Sequence, residues 1–315
     1  MSAMPSSSHL QPAPQGTILG VEHIPTTRGE KIHTRILLKG HPLPILWRGA
    51  DIRLTCAPEL HWDADKCLYC QQCDQVCPKG CLHQGDAGLE IDYIHCDACG
   101  DCVKDCPSKA LEMIGRRTTA GDLLHKTLKQ NYSTARKICR MTICGGEPGW
   151  QSAFCADLLF QIAAAGIPSR LDTSGQAAFE SLLPLLAIPE QINFDLVSPN
   201  HDTHLQITGQ DNQLILENLK KVCHEITPPT RLQVRTPLIR SQTATEAEIT
   251  QTGNWLAEHL LPHCLHWQLF ESQAFDSQTD AFQNEEWQQF ERWAISSGFS
   301  AHNISMCDRA GQPIT

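Results

Sequence analysis

The chain has 315 residues, 16 cysteines and a formal net charge of −10 at pH 7. This length suits one large domain with a small insert or two domains, and the acidic balance argues against nucleic-acid and anionic-membrane partners. No apolar run is long enough to span a bilayer. Residues 1–16 are rich in Ser, Pro and Gln and lack the apolar core of a signal peptide, so we predict a disordered tail there.

The first predicted element is a strand over Ile32 to Gly40, which is rich in β-branched and leucine residues. After it comes the densest cysteine region of the chain, between residues 66 and 107. There the spacing Cys-x-x-Cys-x-x-Cys-x-x-x-Cys-Pro occurs twice. Its members are Cys67, Cys70, Cys73 and Cys77 in the first run, and Cys96, Cys99, Cys102 and Cys106 in the second.

This doubled spacing is typical of a bacterial ferredoxin segment that binds two [4Fe–4S] clusters. In such segments the fourth cysteine of each run reaches the cluster held by the other run. We therefore predict two ligand sets that exchange their fourth members. The first set is Cys67, Cys70, Cys73 and Cys106, and the second is Cys96, Cys99, Cys102 and Cys77.

A pair of structural zinc sites is the alternative for these eight cysteines. The compact spacing favours clusters, because zinc ligands usually come as two well-separated pairs. Cys56 and Cys81 flank the region and are candidate spare ligands, although the eight cysteines already supply both clusters. The remaining cysteines are scattered, which favours reduced thiols over the disulfide framework of a secreted protein.

Helix and strand signals alternate over the rest of the chain. Helices are predicted from near Asp122 and over 154–166, 177–186, 213–226, 244–261 and 285–298, and strands over 137–144, 169–173, 191–197, 231–239 and 264–272. The last helix is predicted to close the chain. Repeated strand–helix units predict an α/β fold with a parallel sheet, either doubly wound or a partial barrel. Ligands of such folds bind where the strands end, and several polar loops of this chain lie there.

With the eight cysteines and these loops, the chain resembles a glycyl-radical-enzyme activating protein of the radical S-adenosylmethionine (SAM) superfamily. The motifs that carry the resemblance are Ile143–Pro148, Leu171–Gly175, Phe194–Asp195, His204–Asn212 and Val234–Ile239. The resemblance implies a partial (β/α)6 barrel with an inserted ferredoxin-like domain. The implied division is 17–52 for the first strand and cluster loop, 53–114 for the insert, and 115–315 for the remaining barrel and C-terminal helix.

The resemblance also implies a SAM pocket at the strand ends. Gly145, Gly146 and Glu147 would hold the amino group of SAM, since glycine permits close backbone approach and a carboxylate suits an ammonium. The other implied pocket residues are Asp172, Ser174 and Asp195, of which the two aspartates belong to a polar cation-binding region, and His204 and Arg235, which line the cleft. Taken singly, each motif is also compatible with an ordinary turn or a helix cap.

One family signature is degenerate. Members carry Cys-x-x-x-Cys-x-x-Cys just after the first strand, and here those positions are His41, Ile45 and Arg48. His41 could ligate iron, but Ile45 has no donor atom and the Arg48 guanidinium has no lone pair to give. Cys56 and Cys144 are candidate substitutes, and a third donor is missing. The cluster that would cleave SAM therefore lacks its thiolates.

Three functions remain open. The preferred one is an iron–sulfur protein that has two clusters, has lost radical generation, and transfers electrons or binds a glycyl radical enzyme. The second is a working activase that generates a glycyl radical by reductive cleavage of SAM. The third is a scaffold in which the clusters only stabilise the insert. A flavodoxin or ferredoxin is the expected electron donor, and oxygen-labile clusters predict an anaerobic cytoplasm.

Overall fold

The computed structural model of the protein describes residues 12–26, 31–43, 55–132, 137–260, 265–272, 281–308 and 311–314. Its strands are β1 (Gln15–Pro25), β2 (Lys31–Leu38), β3 (Glu59–Trp62), β4 (Leu82–Gly85), β5 (Gly88–Ile91), β6 (Leu111–Ile114), β7 (Arg116–Thr119), β8 (Lys137–Cys144), β9 (Ser169–Thr173), β10 (Gln191–Asp195), β11 (Arg231–Leu238), β12 (Leu265–Glu271) and β13 (Ile304–Cys307). Its α-helices are α1 (Gln72–Val76), α2 (Asp101–Lys104), α3 (Ala120–Tyr132), α4 (Ser152–Ala164), α5 (Phe179–Leu182), α6 (His201–Thr208), α7 (Gln213–Glu225), α8 (Glu246–His259) and α9 (Asn284–Ser296).

The described part of the chain forms one large sheet of nine strands, in the order β13-β12-β11-β10-β9-β8-β2-β1-β7. In the stretch of this sheet that runs β2-β8-β9-β10-β11-β12-β13, every neighbouring pair is parallel. At the other edge, β1 pairs antiparallel with both β2 and β7. Helices connect the successive parallel strands, as the alternating sequence signals predict. The α/β class with a parallel sheet is confirmed.

The cysteine region is a separate small layer between β2 and β7. Two short antiparallel ribbons frame it, β3 with β6 and β4 with β5. Its core is small, with Leu60, Leu82, Leu89 and Leu111 buried beside Cys102. A core of this size supplies little hydrophobic stabilisation, which is the usual situation of small domains that depend on bound metal.

The two faces of the large sheet differ in chemistry. Residues on the helix side are apolar, as Ile192 and Phe194 of β10 illustrate, and they form the hydrophobic core together with the covering helices. Residues on the concave side alternate with them and are mostly polar, as Gln191, Asn193 and Asp195 of the same strand show. Side chains along a strand point alternately to opposite faces. Every second residue therefore faces the hydrophobic core, and the residues between them face the concave interior of the barrel, the lumen.

Several element boundaries differ from the sequence expectations. β1 begins at Gln15, inside the predicted 1–16 tail, and residues 1–11 of that tail lie outside the described part. The helix predicted over 177–186 shortens to α5 and a 3-10 turn, because Pro184 cannot continue an α-helix. β13 follows α9, so the last helix does not close the chain.

The sequence expectations also missed a helix. α6 begins after Asn200, whose side chain accepts hydrogen bonds from the backbone N–H groups of Asp202 and Thr203, and it ends at the left-handed Gly209. None of the helices that the structure describes combines the length and apolar character needed to cross a bilayer.

Candidate functional site

The two cysteine runs of the insert have the same backbone conformation. In each run, the second and fourth residues after the first cysteine have positive φ angles: Tyr69 and Gln71 in the first, Ala98 and Gly100 in the second. A short helix follows in both, α1 and α2. Left-handed residues are costly for non-glycine side chains, so their recurrence at matching positions indicates a shape imposed by a common ligand geometry.

The eight predicted ligands surround two cavities. One small cavity is lined by the four cysteines Cys67, Cys70, Cys73 and Cys106. The other is lined by Cys77, Cys96, Cys99 and Cys102, together with the buried Cys81. Each fourth cysteine therefore lies beside the other run's cavity. The structure brings the residues together in the two sets that the spacing rule predicts.

Each cavity has a donor set of four cysteines. Among the described residues, no group of three or more His, Cys, Asp or Glu side chains is placed to hold a single metal ion. Backbone N–H groups point at two of the cysteine sulfurs: Tyr69 donates to Cys67 Sγ at 3.4 Å, and Cys81 donates to Cys77 Sγ at 3.3 Å. Such donors stabilise a thiolate, and hydrogen bonds to cluster sulfurs tune reduction potential.

The loop after β8 is tied to the loop after β2. The N–H of Gly146 donates to the carbonyl of Leu38 at 3.0 Å, and that of Glu147 donates to the carbonyl of Gly40 at 2.8 Å. A side chain at position 146 would lie 2.5 Å from the Gly40 carbonyl oxygen, so only glycine permits this approach. Gly145, at φ +92°, makes the preceding turn. The glycine pair is thus required by contacts within the chain.

The Glu147 carboxylate joins the loop after β8 to the loop after β9. It accepts hydrogen bonds from Thr173 Oγ1 (2.6 Å), Ser174 Oγ (2.7 Å), Ser174 N (2.9 Å) and Gly149 N (3.2 Å). The side chain has no exposed surface. Burial raises the pKa of the Glu147 carboxyl, and the donated hydrogen bonds oppose that rise. Glu147 and Ser174 therefore bond to each other instead of presenting polar groups to a cleft.

Removing this carboxylate is expected to destabilise the barrel. Glu147→Ala leaves two hydroxyl groups and two backbone N–H groups without their acceptor in a buried place, and we expect a loss of about 3 kcal/mol in the free energy of unfolding. Anaerobic urea unfolding measures it. Glu147→Gln, which keeps the volume, should lose less, and the exposed Glu225→Ala should stay within about 0.5 kcal/mol of the parent. A Glu147→Ala variant as stable as Glu225→Ala would contradict this role.

Asp172 and Asp195 share one guanidinium. Arg235 Nε donates to Asp195 Oδ1 at 2.6 Å, and its NH1 group donates to Asp172 Oδ2 at 3.0 Å. Asn193 donates to the other Asp172 oxygen at 2.7 Å. Burial alone would lower the pKa of Arg235, but the two carboxylates raise it above its ordinary value. The predicted cation-binding region is therefore occupied by a cation of the chain itself, the guanidinium of Arg235.

His204 lies inside the protein and not on an open cleft wall. It is fully buried on α6, and within the described residues neither ring nitrogen has a hydrogen-bond partner. Burial lowers its pKa to about 4, so the ring is neutral at pH 7. The resemblance implies that His204 lines the cleft, but the structure buries the side chain on α6, and that burial depends on packing that the motif does not encode.

Comparisons with known proteins identify the family. A model of the 4Fe-4S binding domain matches residues 60–83. The isethionate sulfite-lyase activating enzyme of Oleidesulfovibrio alaskensis is 30% identical over 258 residues, covering 79% of this chain and 83% of that protein. The chain belongs to the glycyl-radical-enzyme activating enzymes of the radical SAM superfamily.

One further relative of this activating-enzyme chain agrees on the family, and one solved structure agrees on the fold. The trans-4-hydroxy-L-proline dehydratase activating enzyme of Clostridioides difficile is 26% identical, covering 67% of this chain and 69% of that protein. Among solved structures, a radical SAM methyltransferase from Sphaerobacter thermophilus superposes with a TM-score of 0.53 at 12% identity, covering 94% of this chain and 77% of that one. The structural likeness supports the radical SAM fold.

The structure describes only part of the segment after β2 in which family members carry the Cys-x-x-x-Cys-x-x-Cys signature. His41 is buried, and its Nδ1 lies 3.1 Å from both the backbone N and O of Leu43. Ile45 and Arg48 lie outside the described residues. Cys56 packs close behind this loop, since a side chain at Gly40 would lie 2.5 Å from Cys56 Sγ. Cys144 is buried at the end of β8, opposite Leu37 of β2.

The sequence expectations missed the polar lining of the concave face. It includes His33 and Arg35 of β2, Arg140 of β8, and Arg170 of β9, which lie outside the motifs that carry the resemblance. A signal for it was present, because polar and apolar residues alternate along β10 and along most of β12. That alternation shows one polar face, and the parallel strand order then decides which residues become neighbours.

Proposed function

We propose that this chain is an iron–sulfur protein of the activating-enzyme family that holds two [4Fe–4S] clusters in its insert and does not generate a radical from SAM. The observation that carries the proposal is a contrast in donors. Eight cysteines surround two cavities in two sets of four. At the family's third cluster, by contrast, His41, Ile45 and Arg48 stand in place of three thiolates.

The proposed ligands of the first cluster are Cys67, Cys70, Cys73 and Cys106, and those of the second are Cys96, Cys99, Cys102 and Cys77. When bound, the clusters supply one-electron transfer. The chain's own part is to present thiolates, to donate N–H groups to their sulfurs, and to exclude water from the apolar side of each cavity. Leu60 and Leu111 are among the buried residues that do so.

The residues at the strand ends do not fit a cluster that chelates SAM. Ile45 offers no electron pair and Arg48 is a permanent cation, so they cannot replace thiolates. The Glu147 carboxylate already accepts hydrogen bonds from Thr173, Ser174 and Gly149. No step through SAM is therefore assigned to this chain.

The proposed role is electron transfer to or from a protein partner. Relatives are activating enzymes, named for the glycyl radical enzymes they act on, and a glycyl radical enzyme is the proposed partner here. A flavodoxin or ferredoxin is the proposed source of electrons. Leu68 and Tyr69, exposed between two ligands of the first cluster, lie where such a protein would approach.

Iron content and product formation test the proposal together. Anaerobic reconstitution with iron and sulfide is expected to give about eight irons per chain, since each cubane holds four. After dithionite reduction and addition of SAM, no 5′-deoxyadenosine should form. A working activase is the alternative that the 30% identity favours, and it would show about twelve irons and 5′-deoxyadenosine. Either result would overturn the proposal.

Electron delivery to a protein acceptor distinguishes the proposed electron-transfer role from a scaffold role. The proposed function requires that the clusters be reduced by dithionite and reoxidised by a protein acceptor, with a flavodoxin as the first acceptor or donor to be tried. Stopped-flow absorbance of the reduced clusters measures the transfer. Clusters that are not reduced by dithionite, or that exchange electrons with neither flavodoxin nor ferredoxin, would contradict the electron-transfer role and support the scaffold.

A further inference from the structure

Three arginines and a histidine lie together on the concave face of an otherwise acidic chain. The register places His33 of β2 opposite Arg140 of β8, and Arg170 of β9 opposite Thr142 of β8. Arg35 lies two residues beyond His33 on the same face. Neighbouring strands are about 4.8 Å apart, so these side chains share one surface. They occupy the beginning and middle of the strands, away from the strand ends where the family motifs lie.

Within the described part of the chain, neither Arg140 nor Arg170 is paired with a carboxylate. Of the carboxylates that the structure describes, none forms an ion pair with either guanidinium. Asp172 is the acid that attracts Arg170, but its two oxygens already accept from Asn193 and Arg235. Arg140 Nε is buried and, within the described part of the chain, has no hydrogen-bond partner. A buried charge or donor of this kind is costly unless something pairs with it.

The neighbouring groups do not neutralise the pair. Arg35 is bound to the exposed Glu22 at 3.2 Å, and His33 Nε2 lies 2.8 Å from Thr142 Oγ1. Burial and the charge of Arg140 lower the pKa of Arg170 to about 10, and burial and the arginines lower that of His33. Burial is the main cause of both shifts, and the neighbouring positive charges act in the same direction.

We propose that Arg140 and Arg170, flanked by His33, form a binding site inside the barrel for a small tetrahedral oxyanion of the phosphate or sulfate type. A guanidinium presents parallel N–H donors that match two oxygens of such a group. Two guanidinium groups from different strands contact different oxygen pairs, which a tetrahedral anion offers and a planar carboxylate does not. Both arginines are half-buried, so part of each side chain remains accessible to an anion. The site is independent of the cluster chemistry.

Calorimetric titration of the anaerobically purified full chain with inorganic phosphate tests the site, with sulfate and acetate as parallel titrants in chloride buffer. We expect saturable binding of one phosphate per chain, with sulfate similar and acetate at least about tenfold weaker. Arg140→Gln and Arg170→Gln should each weaken phosphate binding at least about tenfold. Lys137→Gln removes the same charge from an exposed position at the start of β8 and should leave binding unchanged.

A thermal readout separates a ligand site from a structural one. In chloride buffer without phosphate or sulfate, Arg140→Gln should melt at the same temperature as the parent or higher, since it removes a repulsion, and phosphate should no longer raise that temperature. A lower melting temperature for both arginine variants in that buffer would overturn the proposal. Equal weakening by Lys137→Gln, equal binding of acetate, or the absence of saturable phosphate binding to the parent would do so as well.

Discussion

Restoring three thiols at His41, Ile45 and Arg48 is expected to raise the iron content of the reconstituted protein from about eight to about twelve per chain. These positions match the family's Cys-x-x-x-Cys-x-x-Cys spacing, and the neighbouring loop still carries the contacts that fold it, including the Glu147 to Gly40 hydrogen bond. The His41→Cys, Ile45→Cys, Arg48→Cys triple variant therefore supplies the missing soft ligands on an existing frame. Iron and acid-labile sulfide assays measure the change.

The matched control keeps the loop and withholds one ligand. His41→Cys with Ile45→Cys alone leaves Arg48 in place, and two thiolates should not hold a third cluster, so the iron content should remain about eight. Twelve irons in the unaltered protein would show that other donors, such as Cys56 and Cys144, already complete the site. Eight irons in the triple variant would show that more of the loop than its ligands has been lost.

Two matched quadruple variants should differ by a whole cluster. Replacing Cys96, Cys99, Cys102 and Cys77 by Ala leaves the four cysteines of one cavity, so about four irons per chain should remain. Replacing Cys96, Cys99 and Cys102 together with Cys106 leaves Cys77 on the wrong side of the insert, beside the emptied cavity. That variant should fall well below four irons and lose the absorbance of a [4Fe–4S] cluster. Three of the four substitutions are shared, so the comparison isolates the fourth ligand.

Cys81→Ala is the control for nonspecific cysteine loss. Cys81 is buried in the wall of the second cavity and its N–H donates to Cys77 Sγ, but it is outside both ligand sets. The variant keeps that backbone donor and should retain about eight irons. If the two quadruple variants retained equal iron, the exchange of fourth cysteines would be wrong. If Cys81→Ala lost a cluster, Cys81 would have to be counted as a ligand.

The anion site and the Arg235 ion pairs belong to one continuous polar surface. Asp172 attracts Arg170 on its own strand while it is held by Arg235 from β11, so the positive and negative groups of the lumen are coupled. In a closed (β/α)8 barrel the interior is filled by branched apolar side chains. Here the sheet does not close among the described strands, and its concave face carries polar groups.

The sequence by itself determined the features that depend on short stretches of chain. The two cysteine runs each span eleven residues, and spacing within such a run decides which sulfurs can face one volume, so all eight candidate ligands and their division into two sets could be predicted. Alternating strand and helix signals likewise predicted the parallel sheet. Where a local signal was ambiguous, as at Pro184 or near Gln15, the observed element boundaries differ from the predicted ones.

Only the tertiary structure decided which polar side chains bond to one another. Thr173 binds Glu147 across 26 residues of chain, and Arg235 binds Asp172 across 63. Such partners depend on strand order and register, where a shift of one residue turns every side chain to the other face. For that reason the motifs could name Glu147, Asp172 and Arg235 as site residues but could not show that they bind each other. The same strand register places Arg140 and Arg170 on one face, where no carboxylate of the described residues forms an ion pair with either.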